Sequence, residues 1–241
     1  ILNRCNLPIK CAIVSMLWLP PYLGAADHQP PHNEAKSAPV LDSVSQPFTQ
    51  LFEEVTVQLL TNKDRYLKDP MAYHEFVTRV LQPRWDASST TSALLGTERF
   101  ASLGAVEQQQ LVEAVTNTLI RYAFEGLEHY SSQQFHIVNV VINSEATMGW
   151  VQVEMESPLI PDIILDVLIK QSANNIWKAV DVRLKGITYV AVKKHQFRET
   201  IEERGIRALI ADLKHKNHEY FAEICTKTNS SGRAPCMMST N

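Results

Sequence analysis

The feature that most constrains this 241-residue chain is a change of period at Ser131-Ser132. Upstream, apolar residues recur at helical spacing. Leu111, Val115, Leu119, Tyr122 and Gly126 lie on one stripe, with Val112, Ala123 and Leu127 beside it. This predicts an amphipathic helix over 105–130 with Gly104 as its N-cap. Downstream the pattern alternates: 135–142, 149–156, 163–170 and 176–185 read as four strands, separated by the turn-prone Asn143-Ser144, Ser157-Pro158 and Asn174-Asn175. Val151, Val153 and Met155 alternate with Gln152, Glu154 and Glu156, and Val180, Val182 and Leu184 with Asp181, Arg183 and Lys185. One face is apolar and one is wet, with Asp166 and Asp181 on the wet side, as an antiparallel sheet covered by helices on one face requires. The third strand carries more apolar positions and reads as central or covered on both sides. The fold class is therefore α+β, a twisted antiparallel sheet of about four strands wrapped by helices.

Other helices follow from the same spacing. Phe48, Leu51, Phe52, Val55, Leu59 and Leu60 form a stripe with Pro47 in its first turn and Asn62-Lys63-Asp64 at its end. Asp69-Pro70 opens a second helix carrying Tyr73, Phe76, Val77, Val80 and Leu81, and Pro83 closes it. A third segment, 85–103, is interrupted at Gly96, and helix returns over 189–217 with Gly205 dividing it. These bounds place the folded domain at 47–217. Residues 27–46, rich in Pro, Ser and His, read as a flexible leader, and 218–241 as a flexible tail.

At the N-terminus, Arg4 and Lys10 precede the apolar run 11–19 and the small residues Gly24-Ala25-Ala26, the order of a cleaved secretory signal over 1–26. Lys10, Pro20 and Pro21 break the stretch of about 20 apolar residues that spanning a bilayer needs. Cleavage leaves Cys225 and Cys236, which an exported compartment lets pair, although two free thiols are equally compatible with the sequence.

Composition excludes several functions. Lys plus Arg number 23 against 26 Asp plus Glu, so there is no basic surplus for nucleic acid. With eight Gly, and neither GxGxxG nor GxxxxGK[ST], there is no phosphate-cradling loop. HExxH, GxSxG and CxxC are also missing. His74, His129, His136 and His195 are scattered over separate elements, and His215 and His218 sit beside Glu219 on a solvated helix end. No metal or catalytic set emerges. What remains is an excess of apolar faces, which periodicity alone cannot assign to a filled core or a hollow one.

Local strings in a fixed order carry a resemblance. Asp69-Pro70, the run 81–86 (LQPRWD), Ala93-Leu94-Leu95-Gly96, the helix 107–130, the strand and turn 176–182 (IWKAVDV) with Lys185-Gly186-Ile187-Thr188, and 204–210 (RGIRALI) resemble the MlaC family of periplasmic phospholipid-binding proteins, also called toluene-tolerance proteins. The chain departs from that pattern at Gly104-Ala105, at Phe100 and at Lys185. The resemblance implies a twisted antiparallel sheet of cystatin or nuclear-transport-factor type, wrapped by helices around a deep pocket for the acyl tails. It implies a soluble periplasmic carrier with phospholipid as cargo, no cofactor and no chemical reaction. The implied partners are an outer-membrane lipoprotein complex and the lipid-binding subunit of an inner-membrane ABC transporter, between which it maintains outer-membrane lipid asymmetry. The alternative is an enzyme acting on an apolar ligand in the same kind of pocket. The expected lining is Leu94, Leu95, Leu119, Tyr122, Val151, Val153, Leu165, Val167, Val180, Val182, Ile187 and Tyr189, with no inward cluster of Arg or Lys to select a headgroup.

Overall fold

The computed structural model describes residues 38–158 and 161–229. The expected signal at 1–26, the first part of the expected leader and Cys236 lie outside the described residues.

Helix α1 spans Ala38–Lys68 and so begins inside the segment read as a leader. That reading fails from residue 38 onward because Val44 continues the stripe of Phe48 and Leu51. Val44 is fully buried and Phe48 is 2% exposed. Pro47 consequently lies within the helix and not in its first turn. Its missing N–H and bulky ring cost a helix interior about 3 kcal/mol, an amount that burying side chains such as Val44 and Phe48 can offset. The helix also continues past Asn62-Lys63-Asp64. Asp69 then caps α2, Pro70–Phe76: its Oδ1 accepts the Ala72 N–H at 3.2 Å, and Pro70 stands where no N–H is needed. The chain leaves through a π turn, Val77–Leu81, and a 3-10 turn, Gln82–Arg84. Helix α3, Ala87–Leu95, is capped by Asp86, and Gly96 at φ +88° separates it from the short α4, Thr97–Ala101. Helix α5 is Ala105–His129.

Five antiparallel strands follow in the order β1-β2-β3-β4-β5. They are β1 Gln134–Ile142, β2 Met148–Glu156, β3 Ile163–Gln171, β4 Trp177–Leu184 and β5 Ile187–Thr188. β3 is central as expected; β5, two residues long, is too short to show an alternation in sequence. On the inner face Val151 stands opposite Val167, which stands opposite Val182, and Val153 lies between Ile137 and Leu165. Val44 and Phe48 of α1 pack on this face against Val151, Val153, Val167, Ile169 and Trp177. The unpaired edge of β4 is covered: the Asp86 N–H donates to the Ala179 carbonyl at 2.8 Å and the Thr90 hydroxyl to the Val180 carbonyl at 2.7 Å.

The register of β3 on β4 slips between Leu168 and Ile169, leaving Val180 as an extra residue, so that Ala179 and Val182 both pair with inner-face residues. Simple alternation therefore fails in β4. Asp181 was expected to point away from the core, yet it is 6% exposed. Its Oδ1 accepts the N–H groups of Val182 at 2.8 Å and Val190 at 3.2 Å, the latter in the first turn of α6, Tyr189–Arg204. Burial raises the carboxyl pKa, and these hydrogen bonds oppose the rise. On the outer face Asp166 is bridged instead, accepting from Gln152 Nε2 at 3.2 Å and Arg183 Nε at 2.9 Å, while the Arg183 guanidinium lies 4.1 Å from the Trp150 ring centroid.

Gly205, at φ +82°, ends α6. Helix α7, Ile206–Asn229, then runs through much of the segment read as a tail. Phe221 is 4% exposed, and Cys225 is buried and disulfide-bonded, with the other cysteines of the chain outside the described residues.

Gly149 tests the β1–β2 register. A Cβ there would stand 2.5 Å from the Val141 carbonyl oxygen and 2.6 Å from Ile142 Cδ1. Gly149→Ala is expected to lower stability by about 1–3 kcal/mol, read by denaturant unfolding. An unchanged midpoint would show that the hairpin shifts freely at this pair.

Candidate apolar site and its basic cleft

Buried apolar side chains fall into three clusters where a single contiguous core is usual. The first joins α1, α2, α5 and α7 around Tyr73, Phe76, Ile120, Phe124 and Phe221. The second is the inner face of the sheet under α1. The third joins α3, α5, α6 and α7 around Leu94, Leu111, Val115, Phe197 and Leu209. Each is bordered by apolar residues that keep some solvent access. Leu51 borders the first and second, Leu165 the second, and Leu119 and Tyr189 the third.

The expected lining is divided among these clusters. Val151, Val153 and Val167 are closed under α1 in the second, with Leu165 at its border, whereas Leu94 and Leu95 belong to the third, with Leu119 and Tyr189 at its border. Val180 is buried at the β4 bulge, and Val182 is half-buried. Ile187 is 44% exposed, because β5 lies at the sheet edge, and so it does not face an enclosed interior. Tyr122 packs edge-on against Tyr189, with ring centroids 5.9 Å apart. Burial raises both phenol pKa values, yet neither side chain is closed to solvent.

Next to this pair is a polar seam that periodicity did not reveal. Arg121, 7% exposed, donates from Nε to Asn217 Oδ1 at 3.2 Å and from Nη1 to Glu125 Oε1 at 3.2 Å, and its guanidinium lies 5.0 Å from the Tyr122 ring centroid. Asn217, 1% exposed, donates to the Ala114 carbonyl at 3.0 Å. The seam fixes α7 on α5. Burial raises the Glu125 pKa, and the Arg121 charge opposes that rise.

A cleft of about 450 Å³ opens between the α3–α4 corner and α6. Leu94 and Leu95 form its buried floor and Ile201 its more accessible apolar side, and Arg99, Lys194 and Arg198 supply charge, with Glu98 the acidic residue in the lining. Gly96, through its positive φ, makes the corner that turns α4 away from α3. On α6, Lys194, Arg198 and Ile201 stand at i, i+4 and i+7 and so share one face. Leu94 and Leu95, expected to line an apolar pocket, stand on the floor of this open cleft, and the cations beside them were not anticipated. The i, i+4 spacing on α6 was a usable signal; Arg99, on a separate element, was not. Among the described residues no group of three or more His, Cys, Asp and Glu could hold a metal.

A five-stranded antiparallel sheet covered by helices, with its buried apolar side chains gathered in three clusters, defines an α+β protein. The chain belongs to the MlaC family, whose model, described as MlaC protein, matches residues 49–215. Among solved structures it is similar to the phospholipid-binding protein of Ralstonia solanacearum in complex with a phospholipid, at 21% identity and a TM-score of 0.64, covering 73% of this chain and 97% of that one. No curated protein matches the chain.

Proposed function

We propose that this protein is a phospholipid carrier that encloses the acyl tails of a glycerophospholipid and performs no chemical reaction on it. The observation that supports this reading best is the division of the apolar interior into three clusters with solvent-accessible borders, in a fold shared with a protein seen in complex with a phospholipid. A carrier must enclose the tails. Each buried methylene contributes about 0.8 kcal/mol, so holding two tails of roughly 15 methylenes each in water would cost on the order of 20 kcal/mol or more. An apolar pocket and a bilayer interior are nearly equivalent solvents for a tail, which keeps exchange between them close to balanced.

Membership of the MlaC family supports a periplasmic route between an outer-membrane lipoprotein complex and the lipid-binding subunit of an inner-membrane ABC transporter, serving outer-membrane lipid asymmetry. Among the described residues no helix is long and apolar enough to cross a membrane. An enzymatic role is less well supported, because the groups the cleft offers for acid–base work, Glu98 and Lys194, are both exposed on its rim.

Organic extraction of the purified protein followed by mass spectrometry tests the reading. Glycerophospholipid in near-stoichiometric amount is expected; protein recovered empty, or with only a polar small molecule, would sink it. Intact mass tests the route: a mature chain beginning at or near Asp27 is expected, and a product that retains Arg4 and Lys10 counts against export.

A further inference from the structure

We propose that the cleft formed by Arg99, Lys194 and Arg198 over Leu94, Leu95 and Ile201 binds the phosphate-bearing headgroup of a glycerophospholipid and favours headgroups of net negative charge. The inference rests on the carrier reading and goes further, to the class of cargo.

The first argument is the pairing of cations. Along the same pair of helices three cations have carboxylate partners: Arg204 pairs with Asp212, Arg207 with Glu107 at 3.2 Å, and Lys214 with Glu113 at 3.9 Å. Among the described residues, Arg99, Lys194 and Arg198 have no carboxylate within 4.0 Å. They gather around one cleft in a chain whose formal net charge is -3. With Glu98 as the acidic residue in the lining, the cleft carries a local surplus of positive charge.

The second argument is the chemistry between the cations. Ile201, the small exposed edge of Leu95 and the aliphatic stems of the cations give the cleft apolar surface beside its cationic rim. A free inorganic phosphate uses the rim and leaves the apolar surface uncovered. A phospholipid uses both, with glycerol and the first acyl carbons against leucine and isoleucine and the phosphodiester against the guanidinium and ammonium groups. A zwitterionic headgroup brings its own ammonium into a rim that already has surplus positive charge. A headgroup without one, such as phosphoglycerol, does not.

The test uses the full mature chain, delipidated and then equilibrated with vesicles of equal phosphatidylglycerol and phosphatidylethanolamine of matched acyl chains. Bound lipid is read by native mass spectrometry. Enrichment of phosphatidylglycerol by about threefold to tenfold is expected from two or three partly exposed charge contacts, declining as salt is raised. Lys194→Gln with Arg198→Gln should bring the ratio near unity. Arg207→Gln with Lys214→Gln removes the same charge from α7 and should leave the enrichment in place. The proposal is overturned by a wild-type ratio near unity, by an unchanged ratio in the cleft variant, or by equal loss in the α7 variant, which would assign the effect to overall charge. Competition by excess inorganic phosphate that leaves the lipid ratio unmoved, together with phosphate-induced shifts at Arg198, would mark a free-phosphate site and also overturn it. Wild-type protein that takes up no phospholipid at all defeats the carrier reading itself, an outcome distinct from loss of preference.

Discussion

Phe221→Ala is expected to destabilise the protein by about 3–5 kcal/mol. The ring is 4% exposed and stands edge-on to Phe124, with centroids 5.5 Å apart, in the cluster where α7 meets α1, α2 and α5. Removing it empties a site enclosed by other aromatic rings, with little freedom to collapse. Ending the chain after Asn217 deletes the same ring together with Tyr220 and the buried Cys225, and should cost at least as much. Urea unfolding of the two variants gives the answer. A loss below about 1 kcal/mol, the range of ordinary surface substitutions, would show that α7 beyond Asn217 is an appendage to the fold.

That boundary shows what periodicity can and cannot read. Asn217 looks like the end of a helix because a polar residue breaks the apolar stripe and His218 and Glu219 follow. In the fold it is a buried tie, hydrogen-bonded to Thr118, Arg121 and the Ala114 carbonyl, and the stripe resumes at Phe221. A polar seam between helices carries no apolar signature, so the sequence hides it. The leader was misjudged for a related reason: Val44 is a lone buried valine among Asp42, Ser43, Ser45 and Gln46, and only its phase with Phe48 and Leu51 marks it as part of α1.

By contrast, α5 and strands β1 to β4 were legible because each repeats its period several times, and the Asp69-Pro70 start was legible because its chemistry is local. The bulge at Val180 was not, since a single inserted residue preserves an alternating look while changing which residues share a face. The basic cleft was half legible. Lys194 and Arg198 share a helix face by spacing, but their approach to Arg99 is set by Gly96 and by the packing of α3 on α6, both tertiary facts.

The division of the interior makes a sharp forecast from two tryptophan substitutions. Val153 is 1% exposed and fixed between Ile137 and Leu165 in the paired sheet under α1, where it packs in the second cluster. Val153→Trp is expected to cost about 1–3 kcal/mol or more through overpacking, while the protein that still folds keeps its lipid. Leu119 borders the third cluster and retains solvent access. On the carrier reading Leu119 walls the acyl space and leaves room for an indole, so Leu119→Trp should keep delipidated stability within about 1 kcal/mol of the parent and lose most of its phospholipid occupancy. Native mass spectrometry measures occupancy, and unfolding of the delipidated variants measures stability. The opposite pattern, with Leu119→Trp lipid-loaded and unstable and Val153→Trp stable and empty, would move the acyl site from the borders of the helical clusters onto the inner face of the sheet. The reason the two must differ is physical: a bulky ring in a filled position strains the protein whether or not lipid is present, whereas in a hollow one it competes only with what would otherwise fill the space.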